Sequence, residues 1–125
     1  MAITYEINME HKNILVTATG ELTAQELLDL HHCFARDPEV RPDFSILFDL
    51  REAQGESFAT EGVRELAGLP LILSQTSRRA VVVRSDLGYG MARMYGLRRG
   101  DRTTAFEVFR DLEEARRWVE LDRAG

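Results

Sequence analysis

The chain has 125 residues, 44% of them hydrophobic, and a formal net charge of −5. That is enough for one domain with its own core, and too acidic for a general nucleic-acid binder, whose domain is usually basic. No stretch approaches the roughly 18 consecutive apolar residues that cross a bilayer. Residues 1–6 hold neither a basic nor an apolar region, so no secretory signal is expected. The single cysteine, Cys33, excludes an internal disulfide and suits a reducing cytoplasm.

Residues 3–9 and 14–19 read as strands joined at Glu10-His11-Lys12-Asn13, a connection short enough for an antiparallel hairpin. Gly20-Glu21-Leu22 leads into a helix whose start, Thr23-Ala24-Gln25-Glu26, is a capping box. The Thr23 hydroxyl accepts from the Glu26 amide, and the Glu26 carboxylate reaches back. Leu22 and Leu27 stand at staple positions across that cap. Ala24, Leu27, Leu28, His31, Phe34 and Ala35 keep helical spacing to about Arg36, ahead of Pro38.

Residues 44–50 read as a buried strand closing on an acidic residue, Asp49, and a polar loop is expected over 51–57. A helix over roughly 58–67 stops at Gly68. The run Leu69-Pro70-Leu71-Ile72-Leu73 opens a further short helix with Pro70 in its first turn. That run is either core or an exposed apolar lid or dimer face. Residues 80–83 form an apolar strand, 87–97 a helix, 105–109 a strand and 111–121 a capped helix. In that last helix Leu112, Ala115, Trp118 and Val119 share one face, and Glu113 and Glu114 stand opposite Arg116 and Arg117, worth about 0.2–0.5 kcal/mol per pair. The order β-β-α-β-α-β-α-β-α predicts an α/β domain spanning 1–125. Its five-stranded sheet is mixed: mostly parallel, with an N-terminal antiparallel hairpin.

Chemistry is sparser. His31-His32-Cys33 sits on a helix where consecutive side chains diverge by about 100°, so the three do not converge on one metal ion. Cys33 is expected to be a small buried hydrophobe. No Gly-x-Ser-x-Gly elbow is present, and Gly88-Tyr89-Gly90 lacks the third glycine of a dinucleotide fingerprint. No enzyme, metal or cofactor is therefore expected. The glycines are read as packing residues, with Leu87, Met91, Met94 and Tyr95 facing the core. Charge distribution is more telling. Residues 1–77 hold five basic and thirteen acidic side chains, whereas 78–102 hold seven arginines against Asp86 and Asp101. Ligands of open α/β sheets bind outside the carboxyl ends of the strands, which places 51–57 and 84–90 on one rim. An anionic ligand there would touch Ser57, Arg84, Tyr89 or Arg93.

The element order, the acidic residue near the end of the third strand and the segments Leu87-Gly88-Tyr89-Gly90-Met91-Ala92-Arg93-Met94-Tyr95 and Val108-Phe109-Arg110-Asp111-Leu112-Glu113-Glu114-Ala115-Arg116-Arg117-Trp118 resemble the STAS superfamily over essentially the whole chain. The SpoIIAA-like branch, whose fold is shared with CRAL-TRIO lipid-transfer domains, is the nearer likeness. The resemblance implies a SpoIIAA-like sheet and, in its anti-sigma-factor antagonists, an Asp-Ser-x-Gly turn whose serine is switched by phosphorylation at a helix N-terminus. This chain has Glu56-Ser57-Phe58-Ala59-Thr60 instead, leaving Ser57 and Thr60 as candidate phosphoacceptors that equally suit plain helix caps. The resulting expectation is a non-catalytic cytoplasmic module acting through protein–protein contacts, with an unidentified partner and as a homodimer. The alternative is a small anionic ligand or lipid bound at the Arg-rich rim around residues 84–93.

Overall fold

The computed structural model describes residues 2–21, 23–54, 73, 77–99 and 106–120. A five-stranded sheet runs β1 (Ala2–Asn8), β2 (Asn13–Glu21), β3 (Ser45–Gln54), β4 (Arg79–Val82) and β5 (Phe106–Phe109), and its spatial order is the chain order. β1 and β2 are antiparallel; the remaining pairs are parallel. Three described helices accompany them: α1 (Ala24–Arg36), α2 (Asp86–Arg99) and α3 (Leu112–Glu120). The helices expected between β3 and β4, and residues 69–72, lie outside the described residues. Leu73 is buried in the core beside Ile14, Phe34 and Phe44.

Register sorts the side chains into two layers. On one face Ile14 and Val16 stand beside Ile46 and Phe48, and Phe48 beside Val81 and Val108. α1 covers the first part of that face with Leu27, Leu30 and Phe34, and α2 covers the second with Tyr89 and Ala92. On the other face Leu15, Leu47, Ala80, Val82 and Phe109 meet Leu112, Ala115, Trp118 and Val119 of α3. The last helix thus presents the apolar face its spacing predicts. β4, sandwiched between helices, is buried throughout, as a parallel strand covered on both faces must be.

α1 begins as expected. The Glu26 amide donates to Thr23 Oγ1 at 3.3 Å, and the Thr23 amide donates to Glu26 Oε1 at 2.9 Å, closing the capping box. Leu22 of the expected staple lies outside the described residues. The buried stripe differs in part from the expected one: Phe34 points inward as expected, Leu30 joins it, and Ala35 is exposed. Leu30 lies three residues after Leu27 and Phe34 four after Leu30, which selects both for the sheet, each worth about 1.5–3 kcal/mol when buried. Cys33 is likewise exposed rather than buried, because it falls one position before Phe34 and so turns away from the core. At the helix end Asp37 takes extended dihedrals before Pro38 and accepts the Tyr5 hydroxyl at 2.6 Å. This bond ties β1 to α1, and the Tyr5 ring stands edge-on to Phe34 at 4.9 Å.

β3 is longer than the expected 44–50. It continues to Gln54 because Glu52, Ala53 and Gln54 pair with Thr19, Gly20 and Glu21 of the nine-residue β2. A register shift between Thr17 and Thr19 places the extra residue on β3, a bulge just beyond Asp49. Asp49 is therefore inside the strand, not at its end.

Two comparisons test this packing. A Cβ on Gly88 would lie 3.1 Å from Ser85 Oγ and 3.4 Å from Val83 Cβ, whereas one on Gly90 meets nothing within 4 Å. Gly88 is thus a close-packing residue, and Gly90 is not. Gly90→Ala should stabilise the protein by about 1 kcal/mol through helix propensity. Gly88→Ala should gain less or lose, and equal gains in urea unfolding would contradict the packing role. The Tyr5 hydroxyl is pushed up from 10.0 to about 12, first by its bond to Asp37 and then by burial. The stabilisation it confers is complete below pH 10 and lost as pH rises through about 12. The stability gap between wild type and Tyr5→Phe should accordingly close across that alkaline window, as read by thermal melts at stepped pH.

Candidate functional site

The carboxyl ends of β3, β4 and β5 open onto one rim, built from the last residues of each strand and the first of the helices that follow β4 and β5. On β3 the Arg51 guanidinium forks onto Asp49, Nε to Oδ1 at 2.8 Å and Nη2 to Oδ2 at 2.9 Å. Two residues apart along the strand, these side chains share one face. Past β4, Arg84 pairs with Glu52 at 3.1 Å, both side chains well exposed. Past β5, Arg110 donates to Asp86 at 2.8 Å, reaches the Arg84 carbonyl at 3.4 Å and lies 4.9 Å over the Tyr89 ring. Asp111 caps α3 by accepting the Glu113 and Glu114 amides at 2.8 and 3.2 Å.

The start of α2 is internally satisfied as well. Ser85 Oγ accepts the Gly88 amide at 2.9 Å, and the Ser85 carbonyl accepts that of Tyr89 at 3.0 Å. Asp86 adds a carboxylate at the positive end of the helix dipole. An incoming anion would meet this acidic residue there.

Electrostatics follow the pairing. The Asp49 carboxyl is held below its ordinary range chiefly by the Arg51 hydrogen bonds, with burial opposing and the Arg84 charge assisting. Arg51 is raised, first by its bond to Asp49, with the charges of Glu52 and Asp111 adding to it. The rim is therefore a mosaic of compensated charge.

Of the expected site residues, Arg84 and Tyr89 are brought together, with Arg110 bridging them. Tyr89 is half-buried against Val81, Val83 and Val108, so it is as much a core-edge residue as a surface one. Arg93 is exposed one turn further along α2. Ser57 and Thr60 lie outside the described residues. Asp49 and Glu52 take separate arginines, Arg51 and Arg84. Sequence reading missed Arg51, Arg110 and Asp86. A signal for Arg110 was present: Val83-Arg84-Ser85 and Phe109-Arg110-Asp111 share the pattern of strand end, arginine and helix cap. Among the described residues no group of three His, Cys, Asp or Glu side chains is placed to hold a metal ion.

A cavity of about 310 Å³ lies at the opposite end of the sheet, between the β1–β2 turn and α3. Asn8, His11, Asn13, Arg116 and Glu120 wall it over Ile14, Leu47 and Val119, and none of the expected site residues lines it.

No family model matches the chain, and no curated protein matches it. Among solved structures it is similar to an uncharacterized protein of the DUF3478 family with a SpoIIAA-like fold from Shewanella loihica PV-4. The two share 21% identity at a TM-score of 0.58, over 94% of this chain and 92% of that one. The fold is thus SpoIIAA-like, and the mixed sheet fits the STAS/SpoIIAA-like architecture that the sequence resembles.

The Asp49–Arg51 pair gives a pH test. A depressed carboxylate contributes stability that is present above its unfolded value, 3.8, and lost as pH falls through the folded one. The stability difference between wild type and Arg51→Ala should be largest at neutral pH and shrink below about pH 4. A difference that stays constant into acid would show that the fork contributes no differential protonation.

Proposed function

We propose that the chain is a non-catalytic, cytoplasmic, single-domain module of the SpoIIAA-like fold that acts through protein–protein contacts at the strand-end rim and self-associates as a homodimer. The observation that carries this reading is the pairing of rim charges: Arg51, Arg84 and Arg110 each hold a carboxylate of the same chain. The exposed pairs Glu52–Arg84 and Asp86–Arg110 contribute little to folding, and a rim of paired charges suits a partner that exchanges ion pairs and hydrogen bonds across a broad contact. Among the described residues no buried side-chain nitrogen or oxygen lacks a partner. This, too, supports a surface role over an enclosed polar site. Fold alone does not specify the partner.

The second reading, a small anionic ligand or lipid, draws on Arg93. It is exposed, and among the described residues no ion pair engages it. An anion there would recruit Arg84 by displacing Glu52. Native mass spectrometry of protein taken directly from cells separates the two. Protein free of small molecules supports the contact reading. A retained anion lost in Arg84→Ala/Arg93→Ala would establish the second. Retention that survives both substitutions would remove the rim as its site. Phosphate found on Ser57 or Thr60 in cells would add the switch that the missing Asp-Ser-x-Gly turn leaves open.

A further inference from the structure

Among the described residues β1 stands at one edge of the sheet, with β2 as its strand partner. All seven residues from Ala2 to Asn8 pair with β2 in unbroken register, so the opposite edge presents a regular row of outward backbone groups. Proteins ordinarily blunt such an edge with lysine, proline, a bulge or a very short strand. β1 holds no lysine, proline or glycine, and the sheet's register shift falls between β2 and β3. Its side chains alternate cleanly: Ile3, Tyr5 and Ile7 half-buried on the α1 face, Thr4, Glu6 and Asn8 exposed on the other.

We infer that this edge pairs with the β1 edge of a second copy, antiparallel about a two-fold axis at Tyr5, extending the sheet through the dimer. The commitment to a second copy comes from the sequence of the strand itself. An isologous contact sets residue i against j and j against i, and Ile3-Thr4-Tyr5-Glu6-Ile7 is chemically palindromic. Centred on Tyr5, all seven residues are paired, Ile3 faces the partner's Ile7, and Thr4 faces the partner's Glu6. Centred on Glu6, two carboxylates would oppose each other; centred on Thr4, the described β1 pairs over Ala2 to Glu6 rather than over its full length. The half-exposed Ile3, Tyr5 and Ile7 gain cover in the Tyr5-centred register. The Tyr5 hydroxyl keeps its own Asp37. A seven-residue edge is a small contact, so the dimer is concentration-dependent.

The inference rests only on the self-association part of the proposed function. Its test uses Thr4, which is exposed and outside the core. Sedimentation velocity should show a monomer–dimer equilibrium. Thr4→Lys, which faces Glu6 twice across the axis, should tighten it, and Thr4→Glu should weaken it, each by about 2- to 30-fold. In a Cys33→Ser background, oxidising a mixture of Thr4→Cys and Glu6→Cys should yield a cross-linked dimer. Neither variant alone should, because equivalent positions are offset along the strands by about 7 Å. A strict monomer would overturn both this edge and the homodimer. A dimer indifferent to position 4 and refractory to the mixed cross-link would overturn the edge alone, leaving self-association in place.

Discussion

Burial of β4 on both faces is the constraint from which the other features follow. Ala80 and Val82 face α3 with no accessible surface, and Val81 and Val83 turn toward α2 with almost none. A parallel strand so enclosed needs a helix on each side, and the short connections that return those helices place their N-termini at the strand ends. Arg79 opens the strand and is itself buried. Its guanidinium donates to the Ser77 carbonyl at 2.7 Å and the Leu73 carbonyl at 3.0 Å. The strand that organises the sheet thereby also fastens the backbone leading into it. A lysine could not repeat that forked arrangement, since one ammonium does not present two fixed in-plane donors.

The rim is a by-product of the same geometry. Strand ends converge, β4 and β5 lead through Arg84 and Arg110 into their helices, and three arginines arrive within reach of three carboxylates. Asp49–Arg51, Glu52–Arg84 and Asp86–Arg110 pair off into a patterned surface, into which the 78–102 arginine excess contributes Arg84. A charge count over 78–102 sees only part of this, because Glu52 and Arg110 come from outside that window. The N-terminal end of α2 illustrates the same point on a smaller scale: Ser85 has already claimed the Gly88 amide.

What could be read from sequence was what is local. The Thr23–Glu26 box spans three residues, and its two hydrogen bonds form as the residue types require. The apolar face of α3 follows from spacing alone. The end of β3 was not legible, since Glu52-Ala53-Gln54 has no strand character of its own and is held by β2, thirty-odd positions earlier in the chain. Leu30 was passed over in favour of Ala35 because composition marks both as apolar, and only the position of the sheet decides between them. Of the expected rim residues, Arg84 and Tyr89 stand close together, joined by Arg110. A local pattern marks Arg110, but its partners Asp86, Tyr89 and the Arg84 carbonyl follow only from the register of β4 against β5.

The order of the strands across the sheet repeats their order along the chain. During synthesis each strand therefore emerges when the neighbour it needs has already been made, and no edge must be held open for a segment still to come. Sheets with interleaved strand orders lack this property, because an early strand waits for a late one to fill the gap between neighbours. Growth from the hairpin outward keeps the loops that must close short for a largely parallel sheet, which favours rapid pairing. The same order limits the time during which the apolar β4 is exposed before its covering helices arrive, the interval in which nascent chains are most prone to associate wrongly.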